Sequence, residues 1–291
     1  MNILISVIVP TFNHEDLLLR ALESVLNQTI SVYEILVVDD HSIDEINIEK
    51  YLIRDQRIKV IRHKRNKGEG ASRNTGIKYS NGNIIAFLDS DDCWLNNKLE
   101  LQINLLKEKG YHVGISTSYF YYKIDGKVEI RNCFVPDNWH KHLLMGNELG
   151  IGSTFIAPKE MIEKTGYFNT QLTRYTDWDW ILRFVRIYQL ELINLPLVNV
   201  YQYGIPSGHS VEKSNDLFIK MDMIHFQEYG LNYKKRAISQ RYIEVGNYWL
   251  RSNNPIRAII FYFKAIFQCP YYFFFKIFKK ISNNLFNKTN K

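Results

Sequence analysis

Residues 82–94 read GNIIAFLDSDDCW, and their reading decides the fold. Residues 84–88 are a short apolar run bounded by turn-forming residues, as a strand covered on both faces requires. The run ends directly in Asp89, Ser90, Asp91 and Asp92. Upstream, the same design recurs. Residues 3–9 form a β-branched run stopped by Pro10, with Thr11 and Asn13 beyond it, and YEILVV (33–38) runs into Asp39 and Asp40. IKVIR (58–62) ends beside His63. Helical patterns fill the gaps. In residues 13–28, Leu17, Leu18, Ala21, Leu22, Val25 and Leu26 fall at helical spacing, with Asn13 as the expected N-cap and Glu15 and Asp16 suiting the first turn. ASRNTGIKYS (71–80), after the turn KGEG, reads as a short helix, and another is expected from about 94 to 109. Strands alternating with helices imply a parallel, doubly wound α/β sheet, because parallel neighbours need a crossover connection.

The second half is less regular. YHVGISTSYFYYKI (111–124) and STFIAP (153–158) read as strands, whereas DWDWILRFVRIY (177–188) is a helix with Trp178, Ile181, Leu182 and Val185 on one face. Thr176 and Asp179 are placed to form a capping box at its start. Beyond YGIPSGHS (203–210) the chain reads as helical. The organisation expected is a nucleotide-binding half (1–110), a less regular second half (111–212) and a helical, basic, aromatic extension (213–291).

Charge is unevenly distributed along the 291 residues. The formal net charge is +7, yet from residue 254 onward there are seven Lys and Arg and no Asp or Glu, so residues 1–253 sum to zero. A neutral body is a poor binder of nucleic acid, whose affinity comes from cations neutralising many phosphates. Cys93, Cys133 and Cys269 are too few and too scattered for a disulfide framework or a zinc signature, which points to a reducing, cytoplasmic setting. The first residues lack the basic flank and cleavage site of a secretion signal and read as a first strand.

In open parallel sheets ligands bind beyond the carboxyl ends of the strands, and this is where the aspartates fall. Carboxylates gathered on one rim repel, and a divalent cation relieves that repulsion; Mg²⁺ or Mn²⁺ would bridge one or two of them to a diphosphate. Asp40 and Asp92 also suit the cap of a following helix. Other nucleotide machinery is missing: Arg73 stands where a dinucleotide fingerprint needs its third glycine, and no phosphate loop with its Gly-Lys-Ser/Thr ending occurs.

Taken in order, SVIVPTFNHEDLLLRALESVLNQT, EILVVDDHSID, NKGEGASRNTGI, GNIIAFLDSDDCW, STFIAPKEMIEKTGYF and TDWDWILRF resemble the family-2 glycosyltransferases of the GT-A fold over about residues 3–190. The resemblance implies an inverting transfer from a nucleotide-sugar, expected to be a UDP-sugar, to a hydroxyl of a saccharide or lipid-linked saccharide, as in surface-polysaccharide assembly, with residues 111–212 as the acceptor half. It further implies that Pro10, Thr11 and Asn13 hold the nucleoside, that Asp40 contacts the base with Asp39 supporting its loop, and that Arg73 lies near the nucleotide. Asp91 would meet the ribose or sugar. The metal would sit on Asp91 or Asp92, with Asp89 behind them and His209 reaching in from its loop. The family's catalytic base is the Asp of a Glu-Asp pair; here the pair is Thr176-Asp177, so Asp177 is the expected base and the glutamate's role is lost. A first-turn carboxylate serving the helix dipole is the competing reading of Asp177.

Three further signals carry ordinary readings beside functional ones. His140 and His142 could share a strand face as ligands or be packing residues, and Trp178 and Trp180 suit an acceptor cleft or a buried helix face. Residues 255–279 mix aromatics with lysines and contain no clean apolar span of about 20 residues, so the expectation is peripheral attachment to the inner face of the membrane, the ordinary reading being a helical appendage that packs its aromatics against the catalytic domain. The competing functional classes are a metal-dependent nucleotidyltransferase and a non-catalytic nucleotide-binding scaffold at the membrane.

Overall fold

The computed structural model describes residues 2–13, 15–44, 55–204 and 206–289, without the side chains of 280–289. Lys280, Lys288 and Lys291 of the basic tail therefore lie outside the described side chains.

The apolar runs become strands because both of their faces are covered. β1 (Ile5–Thr11) is buried along its whole length, and α1 (Glu15–Leu26) lays Leu18, Ala21, Leu22 and Val25 into the same core. β2 (Glu34–Asp39) is likewise buried throughout, whereas β3 (Ile58–Arg62) is half-exposed, as befits a sheet edge. Then follow α2 (Glu69–Tyr79), β4 (Ile84–Phe87), β5 (Cys93–Trp94), α3 (Lys98–Glu108), β6 (Val113–Tyr122) and β7 (Val128–Arg131). The chain continues through α4 (Trp139–Met145), α5 (Ile151–Thr154), β8 (Ile156–Pro158), α6 (Lys159–Thr165), α7 (Thr176–Phe184) and β9 (Gln189–Tyr201).

Among the described residues the strands make one mixed sheet in the order β3-β2-β1-β4-β8-β6-β9-β5, with β7 on β6. The first four strands are mutually parallel, as are β6 and β9, while β8, β7 and β5 pair antiparallel with their neighbours. The chain leaves β1 toward β2 and β3, then returns to place β4 on β1's other side. Connections therefore diverge between β1 and β4, the switch point at which such sheets open a crevice.

Helices complete the chain: α8 (Gly208–Glu228), α9 (Leu231–Arg251), α10 (Pro255–Gln268) and α11 (Pro270–Thr289). Two compact units result, Met1–Leu143 with Asn147–Tyr203, and Leu144–Gly146 with Gly204–Lys291. The division falls at Tyr203/Gly204, and residue 212 lies inside α8.

Local expectations fail where tertiary partners intervene. Asn13 does not cap α1: its backbone is left-handed (φ 57°) and its Oδ1 accepts from the Ile43 N–H, which ties it to the loop after β2. Trp94 belongs to β5, not to the next helix, because it pairs with Val198 while its indole N–H donates to the Ser153 carbonyl. That removes Asp92 as a cap; Asn97 precedes α3. Ser153 and Thr154 form the end of α5, not a strand. Thr176 is inside α7 and makes no capping box: left-handed Tyr175 precedes the helix, and Asp179 pairs with Arg183.

Candidate active site

The register of the parallel strands brings three chain segments to one level. Thr11 lies opposite Asp39, the Asp40 N–H donates to the Thr11 carbonyl, and Leu88 N–H donates to Ile8, so the residues after β4 emerge beside Pro10 and Thr11. Around them opens a cavity of about 420 Å³. β1 contributes Pro10, Thr11 and Phe12; β2's end contributes Asp40; β4's end contributes Asp89, Ser90 and Asp91. Asn66, Gly68, Glu69 and Ser72 line it from the approach to α2 and its first turns. Thr11 Oγ1 is buried without a hydrogen-bond partner among the described residues.

Asp39 and Asp40 build the wall. Asp39 is fully buried; its Oδ1 accepts from both the N–H and the hydroxyl of Ser42, and its Oδ2 pairs with Arg62 at 2.7 Å. Ser42 Oγ in turn accepts from the Asn13 N–H, so Asn13 serves the site by joining the β1 and β2 loops. Asp40 Oδ1 accepts from the Lys67 N–H and contacts His63 Nδ1, whose Nε2 reaches Thr75; Oδ2 accepts from Gly68 N–H at 2.7 Å. Asp40 thus holds the loop that starts α2 as well as facing the cavity. Gly68 makes that loop possible, since its φ of 89° is open to glycine at little cost.

Arg73 is the electrostatic hub. It is 1% exposed, and its Nη2 bonds Asp89 Oδ1 at 2.6 Å and also Glu69. Loss of hydration disfavours its charge, but Glu69, Asp89 and Asp177 more than compensate, so its pKa is raised. For Asp89, desolvation pushes the carboxyl up to about 7, with Glu69 and Asp91 adding to it and Arg73 opposing. Gly152 on α5 admits this pair, because a Cβ there would collide with Asp89 Oδ2 and lie 2.8 Å from Arg73 Nη2. Asp177 joins the same network. A Cβ on Gly70 would lie 3.3 Å from Thr176, so the first turns of α2 and α7 abut, and Asp177 feels both Arg73 and Glu69. Desolvation raises its pKa, with Arg73 opposing and Glu69 reinforcing. Its Oδ2 lies 3.5 Å from Asn147 Nδ2. Asp177 is not among the residues that line the cavity around Asp40 and Asp91; it is tied to that cavity by its charge interactions with Arg73 and Glu69.

The acids of the 89–92 segment separate into two roles. Asp89 and Asp91 face the cavity, and Arg20 braces the turn by donating to the Asp91 carbonyl at 2.6 Å while stacking on Tyr201 and bonding Tyr203. Asp92 departs from the expectation that it would hold a metal. It is 4% exposed, its Oδ2 accepts from Ser153 at 2.5 Å, and its Oδ1 accepts from the Tyr201 N–H at 3.0 Å, so it ties β4's end to α5 and β9. Among the described residues no three His, Cys, Asp or Glu side chains converge as a metal site. Two carboxylates open to one cavity nonetheless suit a hard cation that takes its other ligands from a diphosphate and water.

The remaining candidates each have packing partners of their own. His140 and His142 lie on helix α4, where an i,i+2 pair points to different faces: His140 is buried beside Arg186, and His142 packs on Phe134 and Trp139. Trp180 is fully buried, stacked on Phe168 and edge-on to Phe87 and Phe155; Trp178 is 5% exposed with its N–H on the Leu143 carbonyl. Neither lines the cavity. His209 is in the first turn of α8 and not in a loop, its ring edge-on to Trp249. The residues that sequence reading missed are Glu69, Asn66, Ser72 and Arg20. Glu69 left a signal, an acid between the two glycines of a Gly-x-Gly at the start of a helix, whereas Arg20 left none, because its target is 71 residues away.

A mixed sheet whose parallel half opens a cavity at its switch point, walled by strand-end aspartates and a helix start, is the architecture of the GT-A type of glycosyltransferase. The chain belongs to glycosyl transferase family 2, whose family model matches residues 6–168, and it is a glycosyltransferase. It is 38% identical over 181 residues to the Escherichia coli UDP-Glc:alpha-D-GlcNAc-diphosphoundecaprenol beta-1,3-glucosyltransferase WfgD, covering 62% of this chain and 70% of that one. It is 37% identical over 108 residues to the putative teichuronic acid biosynthesis glycosyltransferase TuaG of Bacillus subtilis, covering 36% and 43%. The fold resembles S. aureus TarS 1-349 in complex with UDP-GlcNAc, with a TM-score of 0.57, 18% identity and coverage of 90% of this chain and 81% of that one.

Proposed function

We propose that the cavity binds a UDP-sugar and that the enzyme transfers the sugar, with inversion, to a hydroxyl of a lipid-linked saccharide in the synthesis of a surface polysaccharide. The observation that carries this reading is the convergence of Thr11, Asp40, Asp89 and Asp91 on one cavity, with Asp177 coupled to it through Arg73 and Glu69. The nature of donor and acceptor is supported by WfgD, which uses a UDP-sugar and a diphosphoundecaprenol-linked acceptor, and by the UDP-GlcNAc complex of TarS.

The residues divide the work. Pro10, Thr11 and Asp40 hold the nucleoside, and Asp39 with Ser42 and Asn13 keeps that wall in place. Asp91 and Asp89 would hold Mn²⁺ or Mg²⁺, which would supply charge neutralisation to the diphosphate. Arg73 fixes Asp89 and keeps positive charge beside it. Asp177 takes the proton of the acceptor hydroxyl, whose oxygen bonds to the anomeric carbon as the bond to the diphosphate oxygen breaks on the opposite face.

The test is to incubate the purified chain with UDP-sugars and a lipid-linked N-acetylglucosamine acceptor, with and without Mn²⁺. Acceptor-dependent release of UDP and a product of inverted anomeric configuration are expected. Release of pyrophosphate, or retention of configuration, would refute the reading.

A further inference from the structure

The last two helices leave an apolar face that the protein itself does not cover. On α10 the buried residues are Ala258, Phe261 and Ala265, while Ile256, Ile259, Ile260, Phe263 and Phe267 are exposed, Phe267 at 90%. At about 100° per residue these two sets lie on opposite sides of the helix. α11 repeats the arrangement: Tyr272 and Phe273 are buried, and Tyr271, Phe274, Phe275 and Phe278 are exposed at i, i+3, i+4 and i+7. A single exposed apolar residue needs no explanation, but two successive stripes of aromatics and isoleucines do.

Charge identifies the occupant. From residue 254 onward the chain carries seven cations and no anion, and the exposed Lys264 and Lys279 fall at the flanks of the two stripes. Lys264 is exposed, with its Nζ 4.3 Å from the ring of buried Phe261, so its charge sits at the border between the covered side of α10 and the apolar stripe. A second copy of the chain would bring like charges together, whereas an anionic lipid surface offers both an apolar interior and compensating charge. No described helix is long and apolar enough to cross a membrane, and the 14 residues of α10 span only about 21 Å against a hydrocarbon core of about 30 Å.

We infer that α10 and α11 form an interfacial anchor, lying in the plane of an anionic bilayer with the Phe263/Phe267 and Phe274/Phe278 stripes in the acyl boundary and the lysines at headgroup level. This rests on the helices alone and stands whether or not the sugar-transfer reading holds.

The test is sedimentation of the full-length chain with vesicles of phosphatidylcholine, with and without phosphatidylglycerol; no donor is needed. Binding to the phosphatidylglycerol vesicles is expected. Phe263→Ser/Phe267→Ser and, separately, Lys264→Glu/Lys279→Glu should each weaken it at least about tenfold. All four positions are exposed, so unchanged thermal melting confirms that the fold is kept. Equal binding by the variants, or equal binding to pure phosphatidylcholine, would overturn the inference. So would light scattering that shows a dimer dissolved by the phenylalanine substitutions, since the face would then belong to a second copy.

Discussion

Asp177 has to give up a proton to act as a base, and its surroundings make that harder. Desolvation raises its pKa and Glu69 adds to the effect, while Arg73 limits it. The same shift makes the carboxylate a better proton acceptor once ionised, as general-base catalysis requires. The expected acid limb of kcat/KM therefore lies above the ordinary carboxylate range, with the rate falling as pH falls through it. Linkage runs in the opposite sense for stability: the folded state binds this proton better than the unfolded chain, so the stabilising contribution is complete below about pH 4 and lost as pH rises through the raised value. Asp177→Asn should cut kcat by at least about 100-fold while leaving UDP binding intact, and in the proposed mechanism it should abolish the limb. A kcat near that of the parent would remove Asp177 from the mechanism. At this scale the sequence disclosed candidates better than roles. Asp89, Asp91 and Asp40 stand at strand ends and were visible as such. That Asp92 is consumed by Ser153 and Tyr201, 61 and 109 residues away, is a tertiary fact with no local trace.

The strands use carboxylates differently at their two ends. At the carboxyl ends Asp89 is pushed up, whereas at the amino end of β2 Glu34 is held down at about 2. Burial alone would raise Glu34; the Asn81 N–H, Lys59 and the Ser6 hydroxyl overcome it. Glu34 thereby joins β1, β2, β3 and the turn before β4, so its contribution to stability is present above about pH 4.5 and lost as acid approaches pH 2. Glu34→Gln should lower stability by about 1.5–3 kcal/mol, measured by urea unfolding at neutral pH, with the KM for donor unchanged. Loss of donor affinity without loss of stability would contradict this division of labour. The first four strands were legible because apolar runs covered on both faces have a distinctive length and ending. Helix starts were less so: Asn13 and Thr176 have the right chemistry for caps, but Asn13 is claimed by the loop after β2, and Tyr175 takes the position before α7. The 153–158 run was read whole as a strand, although only Ile156–Pro158 is one, because apolar and small residues do not distinguish a short buried helix from a strand.

Over the whole chain, charge is partitioned between two tasks. Residues 1–253 sum to zero and hold the cavity, while residues 254–291 carry the entire excess of seven positive charges. In the proposed reading a donor diphosphate would meet its ligands at close range, in a cavity lined by Asp89 with buried Arg73 bonded to it, both poorly hydrated, and such contacts are weakly screened by salt. The exposed lysines of α10 and α11 face solvent, where the screening length falls from about 10 Å at 0.1 M salt to about 3 Å at 1 M. The two properties should therefore separate when salt is raised over that range: the KM for donor should change by less than about threefold, and the fraction bound to phosphatidylglycerol vesicles should fall at least about tenfold. Parallel kinetic and sedimentation titrations on one preparation would check it. A donor KM that climbed together with membrane release would mean that the basic tail, and not the neutral body, supplies the charge that recognises the diphosphate.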